Sequence, residues 1–255
     1  LDEQYGEITK LIDFGGSRLH SIQERKVRYD PLGRDIVETS DSRALQLGTS
    51  TVVGKGGDYL SFDNGCQHIR TVKVHNGICY FVDAKKQQFV LFDGSGVNPA
   101  SDINMNAYFK NLLKANNEIR EIDLGGMVDA TQDNIEYIIN RRTSKSTPQD
   151  LIVFNLKNKS FKSRIGLGDD ILLNGVYANQ ELYLLNKDMT YTAYTNPKRG
   201  LWFGNYRNSS LKFVVNDYPG FVKIFNTMNF DMKGGLLINK DTGTALVPSI
   251  IPSIP

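Results

Sequence analysis

The sequence predicts an all-β fold, a partial or degenerate β-propeller-like array of antiparallel hairpins with one inserted helix, and three observations carry that prediction. β-Branched and aromatic residues come in short runs bounded by Asn, Asp, Gly and Lys, with turns at the spacing of about eight to twelve residues that small sheets show. One strand–turn–strand phrase recurs along the chain. A single stretch, about 103–116, has helical periodicity instead.

The most legible hairpin is Thr71-Val72-Lys73-Val74-His75, then Asn76-Gly77, then Ile78-Cys79-Tyr80-Phe81-Val82-Asp83. Asn-Gly supplies the two positive φ angles that a type I′ turn demands. Asp83-Ala84-Lys85-Lys86 turns the chain again, and Gln88-Phe89-Val90-Leu91-Phe92 returns before Asp93-Gly94.

The recurring phrase is an apolar strand, an acidic or amide residue, a lysine-bearing turn and an aromatic strand. Ile78 to Gly94 is the first copy. Leu151-Ile152-Val153-Phe154-Asn155, with Lys157 and Lys159 in the turn and Phe161 in the return, is the second. Glu181-Leu182-Tyr183-Leu184-Leu185-Asn186, the turn Lys187-Asp188 and Met189-Thr190-Tyr191-Thr192-Ala193-Tyr194 are the third, and Leu211-Lys212-Phe213-Val214-Val215-Asn216 leading to Phe221–Phe225 a weaker fourth. Each reads as the outer hairpin of a propeller blade. A small sheet cannot bury both faces alone, so repetition around an axis is the economical way to cover them. The irregular spacing marks inserted, degenerate blades, and 1–255 reads as one such segment.

The helix is expected from about Ile103 to Asn116, inside an insertion spanning 101–118. Met105, Tyr108, Phe109, Leu112 and Leu113 form one apolar stripe, and Ser101 or Asp102 supplies an N-cap. That stripe is expected to pack on a sheet.

Charge names no partner. Lys plus Arg total 30 against 28 Asp plus Glu, a net +2, so no large field of one sign collects nucleic acid or an anionic surface. No apolar run approaches the ~20 residues of a membrane-spanning helix, and the expectation is a soluble protein without membrane contact. Cys66 and Cys79 are read as free thiols or as one disulfide. The first residue, Leu1, and the extended tail through Pro255 suggest a piece of a longer chain.

Catalysis needs a tuned nucleophile or acid, or a metal with three or four ligands. Cys66, His68, His75 and Cys79 lie close in sequence but lack the paired spacing of a zinc site. Gly48 to Gly56 has a glycine–lysine pattern, yet its first glycine is one residue too far from Gly54-Lys55. Gly56 also stands where a phosphate loop needs a hydroxyl, so the segment reads as a flexible turn between strands. Ser61-Phe62-Asp63-Asn64-Gly65 matches most of the Asp-box turn of sialidase-like propellers, with His68 at the tryptophan position. There Asp63 is expected to take up loop amides and Gly65 to supply a positive φ. No catalytic residue, cofactor or metal ligand is assigned.

Candidate interface residues come from two places. Arg141 and Arg142 open a polar loop with Lys145, while Trp202, Phe203 and Tyr206 stand beside Arg207 in the mixture of aromatic and arginine that interfaces favour. Nucleic-acid contact is unsupported. Lys157, Lys159 and Lys162 read as a solvated hairpin face.

The order of several phrases resembles the large virion proteins that close the tail of short-tailed, crAss-like bacteriophages, the muzzle or tail-stabilisation proteins. The matching phrases are Leu19-His20-Ser21-Ile22-Gln23-Glu24-Arg25-Lys26-Val27, Gly77 through Asp83, and Phe92-Asp93-Gly94-Ser95-Gly96-Val97-Asn98-Pro99-Ala100-Ser101-Asp102. Leu151 through Asn155 with Ser160-Phe161, and Phe213 through Asn216 with Lys223-Ile224-Phe225-Asn226, follow in the same order. Where that family carries a fuller Tyr-Asp-Pro-x-x-Lys-Glu phrase, this sequence has Val128-Asp129-Ala130-Thr131-Gln132-Asp133-Asn134-Ile135-Glu136. The resemblance implies a non-enzymatic structural subunit of the virion tail, assembled in the host cytoplasm. Its implied partners are copies of itself in a symmetric ring, neighbouring tail proteins and fibres. The rival expectation, from a different class, is a secreted carbohydrate-binding or glycan-hydrolysing propeller with a pocket of converging acidic and aromatic side chains.

Overall fold

The computed structural model describes residues 3–38, 44–61, 63–94, 96–114, 123–131, 135–142, 149–167, 172–186, 189–195, 201–206, 237–238 and 245–246. The chain divides into two compact units, Leu1–Thr195 and Asn196–Pro255, whereas the sequence reading treats 1–255 as one segment. The fold is predominantly β, as its alternation predicts.

The first unit contains four antiparallel sheets in chain order. Sheet I comprises β1 (Ile8–Asp13), β2 (Arg18–Gln23), β3 (Val27–Glu38) and β4 (Ala44–Val53) side by side, with β5 (Asp58–Ser61) also on β3. Sheet II is the meander β6 (Lys73–His75), β7 (Ile78–Asp83), β8 (Gln88–Phe92) and β9 (Val97–Pro99). After the helix α1 (Asn106–Leu112), sheet III is the meander β10 (Leu124–Asp129), β11 (Glu136–Arg141), β12 (Asp150–Asn155) and β13 (Ser160–Gly166). Sheet IV is β14 (Leu172–Ala178), β15 (Glu181–Asn186) and β16 (Thr190–Thr192).

Strand alternation explains how these sheets pack, because successive side chains point to opposite faces. From sheet II, Tyr80, Val82 and Phe89 enter a core with Phe109, Leu112 and Leu113 and with Tyr137, Ile139, Ile152 and Phe154 of sheet III. The intervening residues Cys79, Phe81, Val90 and Phe92 enter a second core with Ile12, Ile22 and Val27 of sheet I. Sheet II is therefore covered on both faces by its neighbours in sequence. Each fully buried phenylalanine contributes about 1.5–3 kcal/mol by leaving water.

The same rule carries the stack to sheet IV. Gly175 faces sheet III so closely that a Cβ there would overlap Met127 Sδ. Gln149 exchanges hydrogen bonds with both backbone groups of Leu172, and Asn140 Nδ2 donates to the same carbonyl at 3.1 Å. The first strands of the sheets also lie side by side: β10 runs against both β6 and β14, and Thr9 on β1 donates to the Cys66 carbonyl ahead of β6. Gly126 on β10 leaves room for the Tyr137 hydroxyl, which donates to the Thr71 carbonyl just ahead of β6.

The Asn76-Gly77 turn is as predicted, with φ of 49° and 72° joining β6 to β7. Four local expectations are corrected. The helix is shorter, Asn106–Leu112, because Asn104 adopts φ 64° and Met105, which makes no side-chain cap bond, stands at the N-cap position. Ser101 Oγ instead accepts from the Phe89 amide, and Asp102 accepts from Gln88 Nε2 and Asn106 Nδ2. Residues 115–118 of the expected insertion lie outside the described residues. The apolar stripe still packs as expected, on sheets II and III.

The glycine-rich segment is mostly strand: β4 runs to Val53, and only then does the chain turn, with Gly56 at φ 85° pressed against the Ile36 carbonyl. In the Asp-box-like turn it is Ser61 Oγ that accepts from the Asp63 and Asn64 amides, while the Asp63 side chain is 80% exposed. Gly65 is required there by crowding against the backbone of Gln23 to Arg25, not by a positive φ. Finally, the repeated phrase is the outer hairpin in sheets III and IV, as β12–β13 and β15–β16, whereas in sheet II it is the inner pair β7–β8. Its fourth copy, 211–225, lies outside the described residues.

Candidate interaction surface

Arg141 ends β11, whose alternation turns its side chain into the protein, and it is 5% exposed. Its guanidinium is spent on main-chain carbonyls of Leu112, Asp123 and Arg142. Burial lowers its pKa, with nearby Asp123 acting in the opposite sense. Arg141 thus ties the end of α1 to sheet III and is not a solvated loop residue. Arg142 is half-buried, and its amide donates to the Asp123 carbonyl at 2.9 Å.

Trp202 and Phe203 belong to the second unit, on the hairpin of β17 (Leu201–Trp202) and β18 (Asn205–Tyr206). The turn residues Phe203 and Gly204 have φ of 49° and 83°. A left-handed phenylalanine is uncommon and costs local free energy. Both aromatic rings are half-buried, 6.5 Å apart between centroids. Tyr206 pairs with Leu201 through its backbone, and Arg207 lies outside the described residues. The second unit also holds β19 (Leu237–Ile238) paired with β20 (Ala245–Leu246).

Two apolar surfaces escaped the sequence reading. On sheet IV, Leu182 and Leu184 are buried toward sheet III, so alternation turns Val176, Tyr183 and Leu185 to the other face, where Val176 is 55% and Leu185 44% exposed. On sheet I, Val37 lies opposite Leu45 in the β3–β4 ribbon, with Leu47 two residues on, and all three are exposed. Their apolar character was visible; whether another layer covers a strand face is a tertiary fact that alternation alone does not reveal.

The remaining chemical candidates are absorbed by structure. Cys66 and Cys79 are buried thiols that do not form a disulfide. Cys66 Sγ lies 3.4 Å from Thr71 Oγ1, and burial pushes the Cys79 thiol far above its ordinary range. Among the described residues, no group of three or more His, Cys, Asp or Glu side chains comes together as a metal site. No helix among them is long and apolar enough to cross a membrane.

One side-chain device recurs in two sheets. Asp83, ending β7, accepts from the Lys86 amide three residues on at 3.0 Å, and Asn155, ending β12, accepts from the Asn158 amide at 2.8 Å. Asp83 also takes the buried Gly65 amide at 3.0 Å. Burial raises its pKa, and the amide donors pull the other way.

The family model of the Crassvirus muzzle protein matches residues 1–139, more than half of the 255-residue chain. The chain belongs to the Crassvirus muzzle protein family. A second model, the Crassvirus muzzle protein C-terminal domain, matches residues 197–247, within the second compact unit. No curated protein matches the chain. Membership identifies a structural component of the virion tail. The order of phrases anticipated this family; the buried thiols, histidines and Arg141 are parts of its packing.

Proposed function

We propose that the chain is a non-enzymatic scaffold of the phage tail, a propeller-like array that assembles as copies of itself in a symmetric ring within the host cytoplasm and presents its loops to neighbouring tail proteins and fibres. The observation that carries this reading is the stack of sheets I to IV in chain order, with sheet II covered on both faces and β10 beside β6 and β14. Radial repetition of small sheets produces such an arrangement. It yields a body whose rigidity comes from aromatic packing between layers. The exposed side chains of Val176 and Leu185 on sheet IV and of Val37, Leu45 and Leu47 on sheet I, together with Trp202, Phe203, Tyr206, Arg207 and Arg142, form the surfaces proposed for contact.

Native mass measurement of the purified chain, with cross-linking of intact particles, tests this. The expected outcome is a closed oligomer of defined copy number, cross-linked to itself and to other tail proteins. A chain monomeric at all concentrations, with no self-cross-links in the particle, contradicts it.

A further inference from the structure

The two exposed apolar faces of the first unit lie on the first and last sheets of the stack and point away from it. In the β3–β4 ribbon, Ile36 and Gln46 line a cleft together with Asp93 and Gly94 of the turn after β8, so that face looks toward sheet II. Alternation turns Val37, Leu45 and Leu47 to the opposite face, where all three are exposed. At the other end of the stack, Gly175 and its cross-strand partner Leu184 face sheet III, and Val176 and Leu185 are exposed on the reverse. From Arg34 to Glu38, β3 pairs with no strand but β4 among the described residues. A two-stranded ribbon is marginal in water without a further strand or an apolar layer against it. The carboxylates on the two faces are already engaged: Asp35 accepts from the Lys55 amide and Glu181 from the Tyr183 hydroxyl, both at 2.6 Å. The layer these faces call for is therefore apolar.

We propose that these two faces are each other's partners between copies: the β3–β4 ribbon of one copy docks through Val37, Leu45 and Leu47 on the outer face of sheet IV of the next, against Val176 and Leu185. This pairing rests on the ring reading given above and names the contact that makes the ring. An isologous contact, ribbon on ribbon or sheet IV on sheet IV, closes at two copies and leaves the other apolar face in water. A head-to-tail contact between different faces covers both in every copy, and it closes into a ring when the rotation permits. The order of the stack supports it. Sheets I and II, II and III, and III and IV already bury a face against each other, and sheet IV against the next copy's sheet I continues that series.

Two variants of the full chain test this by complementation. Leu45→Lys with Leu47→Lys blocks the ribbon, and Val176→Lys with Leu185→Lys blocks sheet IV. Each should weaken self-association about a hundredfold or more, because charges enter an apolar contact without partners. Native mass spectrometry should show rings for the native chain, monomers for either variant alone, and a one-to-one dimer when the two are mixed, since each retains the face the other lacks. Rings from either variant alone overturn the pairing while the ring reading stands. A variant that stops at a dimer by itself also overturns it, marking an isologous face. So does a mixture that stays monomeric, whether the thermal midpoints are unchanged or are lowered because the blocked face is covered within the chain itself. Variants that form rings but no longer enter tails overturn it as well, assigning the face to another tail protein. A native chain that never associates defeats the ring reading, and this pairing with it.

Discussion

The two faces of sheet II are built from different chemistry. Toward sheet III the join is aromatic: the Phe89 ring lies within 5.0 to 6.5 Å of Tyr80, Phe109, Tyr137, Phe154 and Phe161 between centroids. Toward sheet I the core holds two thiols, smaller aliphatic groups and Phe81 and Phe92, and polar devices border it. His20 sits against Phe92, Asp83 takes the Gly65 amide, and Glu24 pairs with Lys85 at 2.9 Å. One sheet thus joins a neighbour by volume and ring geometry on one side. On the other it relies on directional contacts that a change of protonation can alter.

The largest expected effect breaks the aromatic join. Phe89→Ala should cost about 3–5 kcal/mol in denaturant unfolding, because it empties the centre of a cluster that cannot collapse. A loss below about 1 kcal/mol would mean that sheets II and III are not held by this core. Next comes Asp83→Ala on the sheet I side, which leaves the Gly65 and Lys86 amides without their acceptor and should cost about 1–3 kcal/mol. Asp83→Asn should recover part of that loss, since its Oδ1 still accepts from one of these amides.

A pH dependence sharpens the contrast. His20 has its pKa lowered in the folded state, chiefly by burial, so the unfolded chain takes up the proton first as pH falls. Stability is full above the unfolded value of about 6.5 and is lost as pH drops through the folded value. Unfolding curves at stepped pH should show this slope in the native chain and its absence in His20→Phe, which keeps a ring among Phe14, Tyr29 and Phe92. An unchanged slope would move the sensitive group elsewhere. Asp83, with a raised pKa, acts in the opposite sense, its contribution being lost as pH rises through its folded value. The smallest effect belongs to the exposed edge strand β13: Lys162→Ala removes a 2.7 Å pair with Glu136 whose lysine is 51% exposed, and should change stability by no more than about 0.5 kcal/mol.

Much of this was legible in sequence where the determinants are local. Asn76-Gly77 fixes its own turn, and Phe81-Val82-Asp83 and Val153-Phe154-Asn155 announce strands that end on a side-chain acceptor. What sequence missed depends on neighbours distant along the chain. The helix stripe was correct, but Asn104 and the demand of Phe89 for Ser101 set its start. Arg141 looked like a loop cation because the carbonyl of Leu112, 29 residues away, is invisible to a local reading. The repeated phrase marked hairpins without saying which strand would precede them, so its place within sheets II, III and IV differs.

Electron cryomicroscopy of the assembled tail, at a resolution that separates strands, tests the central claim most directly. The account predicts sheets I to IV arranged in chain order about an axis, β6, β10 and β14 nearest that axis, and Phe89 buried between the second and third sheets. Sheets paired out of chain order, or the Phe89 face of sheet II turned to solvent, would contradict it.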